Sequence, residues 1–388
     1  MVFLVIVFLI RKKMKVGYVL LISAATLWLL YLMPPQDIWK SITGMATSQV
    51  TITLILALSF IRMMEMLLRE HDVMARMMSA FRGAFGSRKA VTISMPMLIG
   101  MLPSVGGAYF SAPMVDEATR DVPMPQDEKA YINYWFRHPW EFILPLYPGI
   151  LLASALSGMP LNKFIVANLP QAVLMLALGF VFSMRGLGTN GNATRKVGWN
   201  DASSFIPVAA VLLLVIAFHV KLYIAIGAVV LVMALYYRAG LRKYWELIKY
   251  GFALEVIVLI AGVMLFKQTM EVSGAVDNIS RFFIENHIPL MPTLIALPFA
   301  VGVLTGITVG YVGATFPLLV SLAGTASIEP MALAFASGFV GVLVSPVHVC
   351  LVLTREYFRA EIAALYRRLY IPALALLLLA VARYLALI

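Results

Sequence analysis

The chain has little of what enzymes and driven pumps need. It carries one cysteine, Cys350, which excludes an intrachain disulfide and a cysteine metal cluster. The apolar run around it predicts a small buried hydrophobe. There is no GxxxxGK(S/T) phosphate loop, so ATP-driven pumping has no engine here. HExxH and GxSxG are missing too, which leaves an intramembrane hydrolase without its usual marker. No arginine ladder at three-residue spacing argues for a voltage sensor. Charge itself is scarce: 13% of the 388 residues, against 62% hydrophobic and a mean hydropathy of +0.91. A water-soluble chain of this composition would leave large apolar patches exposed, so the solvent is read as lipid. The formal net charge of +11 is spread too thinly to track a phosphate backbone, and no nucleic-acid partner is expected.

What is present is a repetition. Ser104-Val105-Gly106-Gly107-Ala108-Tyr109-Phe110-Ser111-Ala112-Pro113 and Thr308-Val309-Gly310-Tyr311-Val312-Gly313-Ala314-Thr315-Phe316-Pro317 lie 204 positions apart. Ser104 meets Thr308, Val105 meets Val309, Gly106 meets Gly310, Ser111 meets Thr315 and Pro113 meets Pro317. Paired apolar segments interrupted by glycine and proline point to the binding site of a secondary transporter.

Apolar runs between polar breaks predict an all-α polytopic membrane protein with about ten transmembrane helices and two interrupted segments. The first half, 1–184, has spans near 1–10, 16–33, 47–64, 131–157 and 164–184, with an interrupted segment near 91–115. A linker over 185–203 leads to the second half, 204–388. Its spans lie near 205–219, 222–237, 251–267, 330–353 and 369–387, and its interrupted segment near 291–325. The first run resembles a signal peptide, but its basic cluster, Arg11 to Lys15, follows the apolar residues instead of leading them.

Basic residues set the orientation. Five segments (11–15, 62–129, 185–196, 238–249 and 355–368) hold 23 of the 30 lysines and arginines, and the opposite set of loops and ends holds six. Positive charge collects on the cytoplasmic side, so both termini are expected outside. The halves then become inverted repeats, and their interrupted segments become re-entrant hairpins, one opening to the cytoplasm and one outward. Residues 116–129 are expected as a solvated loop and 268–287 as an outside loop with a short amphipathic helix. Glu255 is expected to reach the headgroups.

Several side chains stand out as chemistry. Glycines at the hairpin tips let backbone approach a ligand, and hydroxyls there can hold a cation or a carboxylate. Gly302, Gly306 and Gly310, at four-residue spacing, read equally as a helix-packing ridge. In the fourth span, Arg137 and Glu141 share a helix face if the helix survives Pro139. A charge inside a span is functional by default, although this pair could also snorkel to water. Prolines 139, 145 and 148 predict a broken helix. Ser345-Pro346-Val347-His348 in the ninth span repeats the proximity of histidine and proline in His138-Pro139, and histidine can relay protons.

The segments LPSVGGAYFSAPMV, LTGITVGYVGATFPLLV, NYWFRHPWEFILPLYPG and SPVHVCLVLTREYF resemble an uncharacterised family of prokaryotic integral membrane proteins. That family is similar to the gluconate permeases of the ion-transporter superfamily. The resemblance implies two inverted repeats, each with a re-entrant hairpin and a broken helix. It also implies a homodimer working as an elevator in the prokaryotic inner membrane, and a small organic anion carried with H+ or Na+. No other cofactor and no catalytic residue is implied. The expectation is a permease for a sugar acid or another carboxylate. Its substrate contacts are Ser104, Val105, Gly106, Gly107, Ser111, Arg137, His138, Thr308, Val309, Gly310, Gly313 and Thr315, and its ion-coupling residues are Glu141, Ser345 and His348. A cation/proton exchanger is the alternative. An intramembrane enzyme built on His138, Glu141 and His348 is a distant third.

Overall fold

The computed structural model describes residues 2–12, 14–84, 88–101, 107–183, 198–323 and 327–387. Among these, every regular element is helical. The first half of the chain runs α1 (Val2–Arg11), α2 (Val16–Leu30), α3 (Pro35–Thr47), α4 (Gln49–Glu70), α5 (Val73–Ala84), α6 (Arg88–Gly100), α7 (Gly107–Ala118), α8 (Gln126–Trp135), α9 (Pro148–Ser157) and α10 (Leu161–Ser183). The second runs α11 (Trp199–Ala202), α12 (Ile206–Ile216), α13 (Leu222–Tyr236), α14 (Leu241–Gly251), α15 (Leu254–Val272), α16 (Ala275–Glu285), α17 (Leu290–Thr305), α18 (Thr308–Ala323), α19 (Glu329–Leu343), α20 (Val349–Phe358) and α21 (Ile362–Leu387).

Among the described residues, four helical stretches are long and apolar enough to cross a bilayer: Gln49–Glu70, Leu161–Ser183, Leu241–Val272 (α14 with α15) and Ile362–Leu387. Shorter apolar helices of 10–17 residues, α2, α9, α13 and α17 to α19 among them, accompany these. The outer faces are as apolar as the core. Helix α21 exposes Ile371, Leu374, Leu378 and Leu385, and α10 exposes Val166, Leu169, Val173 and Phe180. Helices apolar on both faces need a hydrocarbon solvent, and the protein is membrane-embedded.

Packing is reciprocal between the halves. Helix α2 lies along α15, and α13 lies along α4; α3 joins α15, and α14 joins α4. Helix α9 packs on α18, and α20 packs on α7. Within the second half, glycine also allows close backbone contact. A Cβ on Gly302 of α17 would fall 2.2 Å from the Gly338 carbonyl oxygen of α19, so the two backbones touch there.

The two longest predicted spans are interrupted. Helix α8 stops at Trp135; a single 3-10 turn, Pro139–Phe142, follows, and α9 starts with Pro148 at its first position. Proline lacks the N–H that a helix interior needs, but it fits a first turn. The 330–353 run, expected as one span, divides into α19 and α20 around Val344–His348.

Other expectations are corrected. The 116–129 segment is not merely solvated: α7 reaches Ala118, and α8 begins at Gln126. The Lys129 ammonium is nearly buried and pairs with Asp116 at 2.7 Å, and Arg368 bridges Asp127 and Glu128. In the 268–287 stretch the expected short amphipathic helix is present as α16, and only the loop before it is shortened, because α15 continues to Val272. Glu255 meets Lys15 rather than headgroups alone. The linker is helical from Trp199, while its residues 185–197 lie outside the described residues.

Candidate functional site

The two helix breaks bring titratable side chains of both halves together. His138 follows α8, and His348 immediately precedes α20. Their Nε2 atoms lie 3.0 Å apart. Each imidazole is anchored through its other nitrogen to a helix-end carbonyl. His138 Nδ1 is 2.6 Å from the Tyr134 oxygen in the last turn of α8, and His348 Nδ1 is 2.5 Å from the oxygen of Gly306, which caps α17. Such carbonyls have no partner within their own helix, so the rings satisfy the backbone and are themselves fixed. Both histidines are buried, at 1% and 7% exposure. The rings of Tyr134 and Phe339 lie against His138, with centroids 4.6 and 6.4 Å away.

Glu141, in the 3-10 turn, extends the cluster. One carboxylate oxygen accepts from the Thr308 hydroxyl at 2.6 Å; the other lies 3.8 Å from His138 Nε2. Thr308 is the first residue of α18, and its methyl packs so closely on Gly149 of α9 that a Cβ there would fall 2.2 Å away. The start of α18 is therefore docked on the interrupted segment between α8 and α9. Removing the Thr308 hydroxyl with valine should cost about 1.5–3 kcal/mol, the range for a hydrogen bond to a charged group. A double-mutant cycle of Thr308→Val with Glu141→Gln, read by thermal denaturation, should return a coupling of roughly 0.5–3 kcal/mol. Strict additivity would refute the contact.

Arg137 is buried at 3% exposure between α8 and the turn. Its carbonyl lies against Gly100 at the end of α6, where a Cβ would fall 2.2 Å from the oxygen. The same helix end receives the Trp140 indole N–H on the Met97 carbonyl at 2.7 Å and the Tyr147 hydroxyl on the Gly100 carbonyl. The end of α6 thus abuts the same break. Ser104, Val105 and Gly106, the expected tip contacts of the first hairpin, lie outside the described residues.

Not every expected contact converges. Helix α18 runs unbroken through Pro317, but its Thr315 hydroxyl is used locally, donating back to Tyr311 at 2.8 Å, and Ser111 of α7 likewise faces the Gly107 and Ala108 carbonyls. Serine and threonine hydroxyls inside helices bond to the preceding turn when nothing stronger competes. Ser345 donates to the Val303 carbonyl at 2.6 Å and ties α19 to α17. Gly313 faces Val263 and Leu20 of the packed helices α15 and α2. Gly310, expected at a tip where backbone approaches a ligand, lies within α18; the left-handed glycine of this stretch is Gly306, at φ +64°. Gly107, the first residue of α7, and Val309, the second of α18, have no polar side chain to offer. The Arg137–Glu141 helix face is lost because the helix ends before Pro139.

The sequence reading missed three participants. Tyr134 donates its hydroxyl to the Leu343 carbonyl at 2.9 Å, holding the end of α19. Asn133 spans α8, α7 and α20 by donating to the Ala108 carbonyl and the Thr354 hydroxyl, both at 3.0 Å. Cys350, expected as an inert hydrophobe, is half-buried, and its Sγ lies within 4.8 Å of ring nitrogens of both His138 and His348. The position of histidine beside proline in both halves was the available signal for the pairing. For Asn133 no sequence signal existed.

A cavity of about 720 Å³ adjoins the site, lined by Lys89, Met97, Met101, Trp140 and Phe180 among others. Its walls are almost wholly apolar, which suits acyl chains better than an anion. The polar convergence is at the histidines.

None of the curated proteins matches the chain. A family model described as "Protein of unknown function (DUF401)" matches residues 1–387, and the chain belongs to that family.

Proposed function

We propose that the protein is a secondary-active permease for a small organic anion, such as a sugar acid or another carboxylate, driven by a proton or sodium gradient. One observation carries the reading: in an apolar helical body, two broken helices and a helix start from opposite halves meet at a polar cluster of the buried His138, His348 and Thr308 with the partly buried Glu141. Interrupted helices are tolerated at membrane depth only where they are buried or line a cavity, and they supply backbone donors and acceptors to a ligand. Arg137 provides the positive charge for the anion, and Glu141 with Thr308 provides the oxygens for the coupling cation.

Inverted repeats of five spans and one re-entrant hairpin each account for the reciprocal packing described above. Internal prolines support the same pairing. Pro96 and Pro298 lie in α6 and α17, Pro113 and Pro317 in α7 and α18, and Pro170 and Pro372 in α10 and α21. Every pair is 202 to 204 positions apart. With basic residues on the cytoplasmic side, both termini are outside the inner membrane, and the hairpins open to opposite faces. The likeness to gluconate permeases adds a homodimer moving as an elevator.

Proteoliposomes test the function. Counterflow of a radiolabelled sugar acid or short carboxylate, stimulated by an imposed proton or sodium gradient, is the expected outcome. Ion-driven pH change that no organic anion alters would replace the permease with an exchanger.

A further inference from the structure

We propose that His138, His348 and Cys350 form a binding site for one transition-metal cation of the borderline-to-soft class, such as zinc(II) or copper(I), where the two helix breaks meet. The proposal does not rest on transport. It begins with hydrogen accounting. A carbonyl oxygen only accepts, so the contacts to Tyr134 and Gly306 require a hydrogen on Nδ1 of each ring. A neutral imidazole then presents a bare lone pair at Nε2. Two such lone pairs face each other at 3.0 Å, an arrangement that repels unless a cation sits between them.

A shared proton would need only these two nitrogens. Here further donors converge. The Cys350 sulfur and the two imidazoles lie mutually within 4.8 Å, and a Glu141 oxygen lies 3.8 Å from His138 Nε2. Two imidazoles with a thiolate suit zinc(II) or copper(I) rather than magnesium or calcium. Metal–nitrogen bonds of about 2.0–2.1 Å in a tetrahedron put ligand nitrogens about 3.3 Å apart, so the rings need separate only by a few tenths of an ångström. Both histidines already have the backbone-carbonyl partner that orients a ligating imidazole and fixes its tautomer. Tyr134, 4.6 and 5.7 Å from the two rings, screens the site from water. The ligands come from the break after α8 and from the start of α20, so a bound ion crosslinks the two halves of the chain.

The test uses the purified full-length protein, stripped of metal in detergent, with cobalt(II) as the spectroscopic probe. One cobalt per chain should bind, giving a thiolate-to-cobalt charge-transfer band. Cys350→Ser should lose that band, and His348→Gln should weaken binding by roughly 100-fold or more, beyond the loss typical of an outer-shell partner. Zinc should raise the thermal midpoint of the parent protein by mass action, and raise it less in Cys350→Ser. If His348→Gln does not fold, Cys350→Ser decides, because it changes one atom of a half-buried side chain. Two results overturn the proposal. One is no saturable cobalt or zinc binding below roughly millimolar concentration, a free energy of about −4 kcal/mol, which would leave the imidazoles sharing a proton. The other is an unchanged band and an unchanged zinc effect in Cys350→Ser, which would move the metal elsewhere.

Discussion

Replacement of Arg137 by glutamine is expected to raise the anion concentration needed for half-maximal uptake by roughly 30- to several-thousand-fold. That range corresponds to the ~2–5 kcal/mol lost when one partner of a desolvated, hydrogen-bonded charge pair is removed. The guanidinium is buried beside the break in the α8–α9 helix, where charge is costly to hold and water does not screen it. Glu141, the acid four residues on, already accepts from Thr308, so it does not depend on the arginine for a donor. The double variant Arg137→Gln with Glu141→Gln separates binding from structure. A purely structural ion pair should be rescued when both charges go, because neither is left uncompensated. An anion-binding arginine should not be rescued. Near-parental half-saturation in the single variant, measured by initial uptake rates in proteoliposomes, would end the arginine's substrate role and leave the anion to His138 and the backbone.

Gly306→Ala is expected to lower the thermal midpoint sharply and to separate the two histidines. Gly306 caps α17 at φ +64°, a conformation that costs an L-residue roughly 1–2 kcal/mol. A Cβ there would also fall 2.8 Å from the backbone nitrogen of His348 and 3.0 Å from its Cα, and backbone yields less readily than a side-chain tip. Because the Gly306 carbonyl holds His348 Nδ1, the methyl pushes away the residue that this carbonyl positions. Gly158→Ala is the control. It has the same left-handed geometry, at φ +70°, with nothing within 4 Å of the added methyl. It should lose only the conformational part. Equal loss in both variants would mean that α20 moves aside freely and that the contact at Gly306 is not tight.

The breaks were legible in part. Prolines 139, 145 and 148 foretold the interruption after α8, because proline acts locally and its effect can be read from one residue. The second interruption, at Val344–His348, contains a single proline, Pro346, inside an otherwise unbroken apolar run. Hydropathy alone therefore reads it as one span. The 204-residue repetition directed attention to Thr308, and the recurrence of histidine close to proline directed it to His138 and His348, 210 positions apart. The repetition also promoted Ser111, Thr315 and Gly313, which the structure uses for helix-internal bonding and packing. A repeat preserves fold requirements and ligand requirements alike, and the sequence does not label which is which.

The sequence by itself determined the solvent, the helical class, the paired arrangement of apolar segments and the residue types available for chemistry. Those follow from composition, periodicity and proline placement, which depend on a residue and its near neighbours along the chain. Only the tertiary structure decided that His138 and His348, 210 positions apart, place their Nε2 atoms in contact, that Thr308 reaches Glu141 across 167, and that Cys350 lies beside the two histidines. Such contacts depend on how helices from two halves cross and on which carbonyls their broken ends leave free. The crossing is set by the summed packing of many side chains, and no single stretch of sequence contains it.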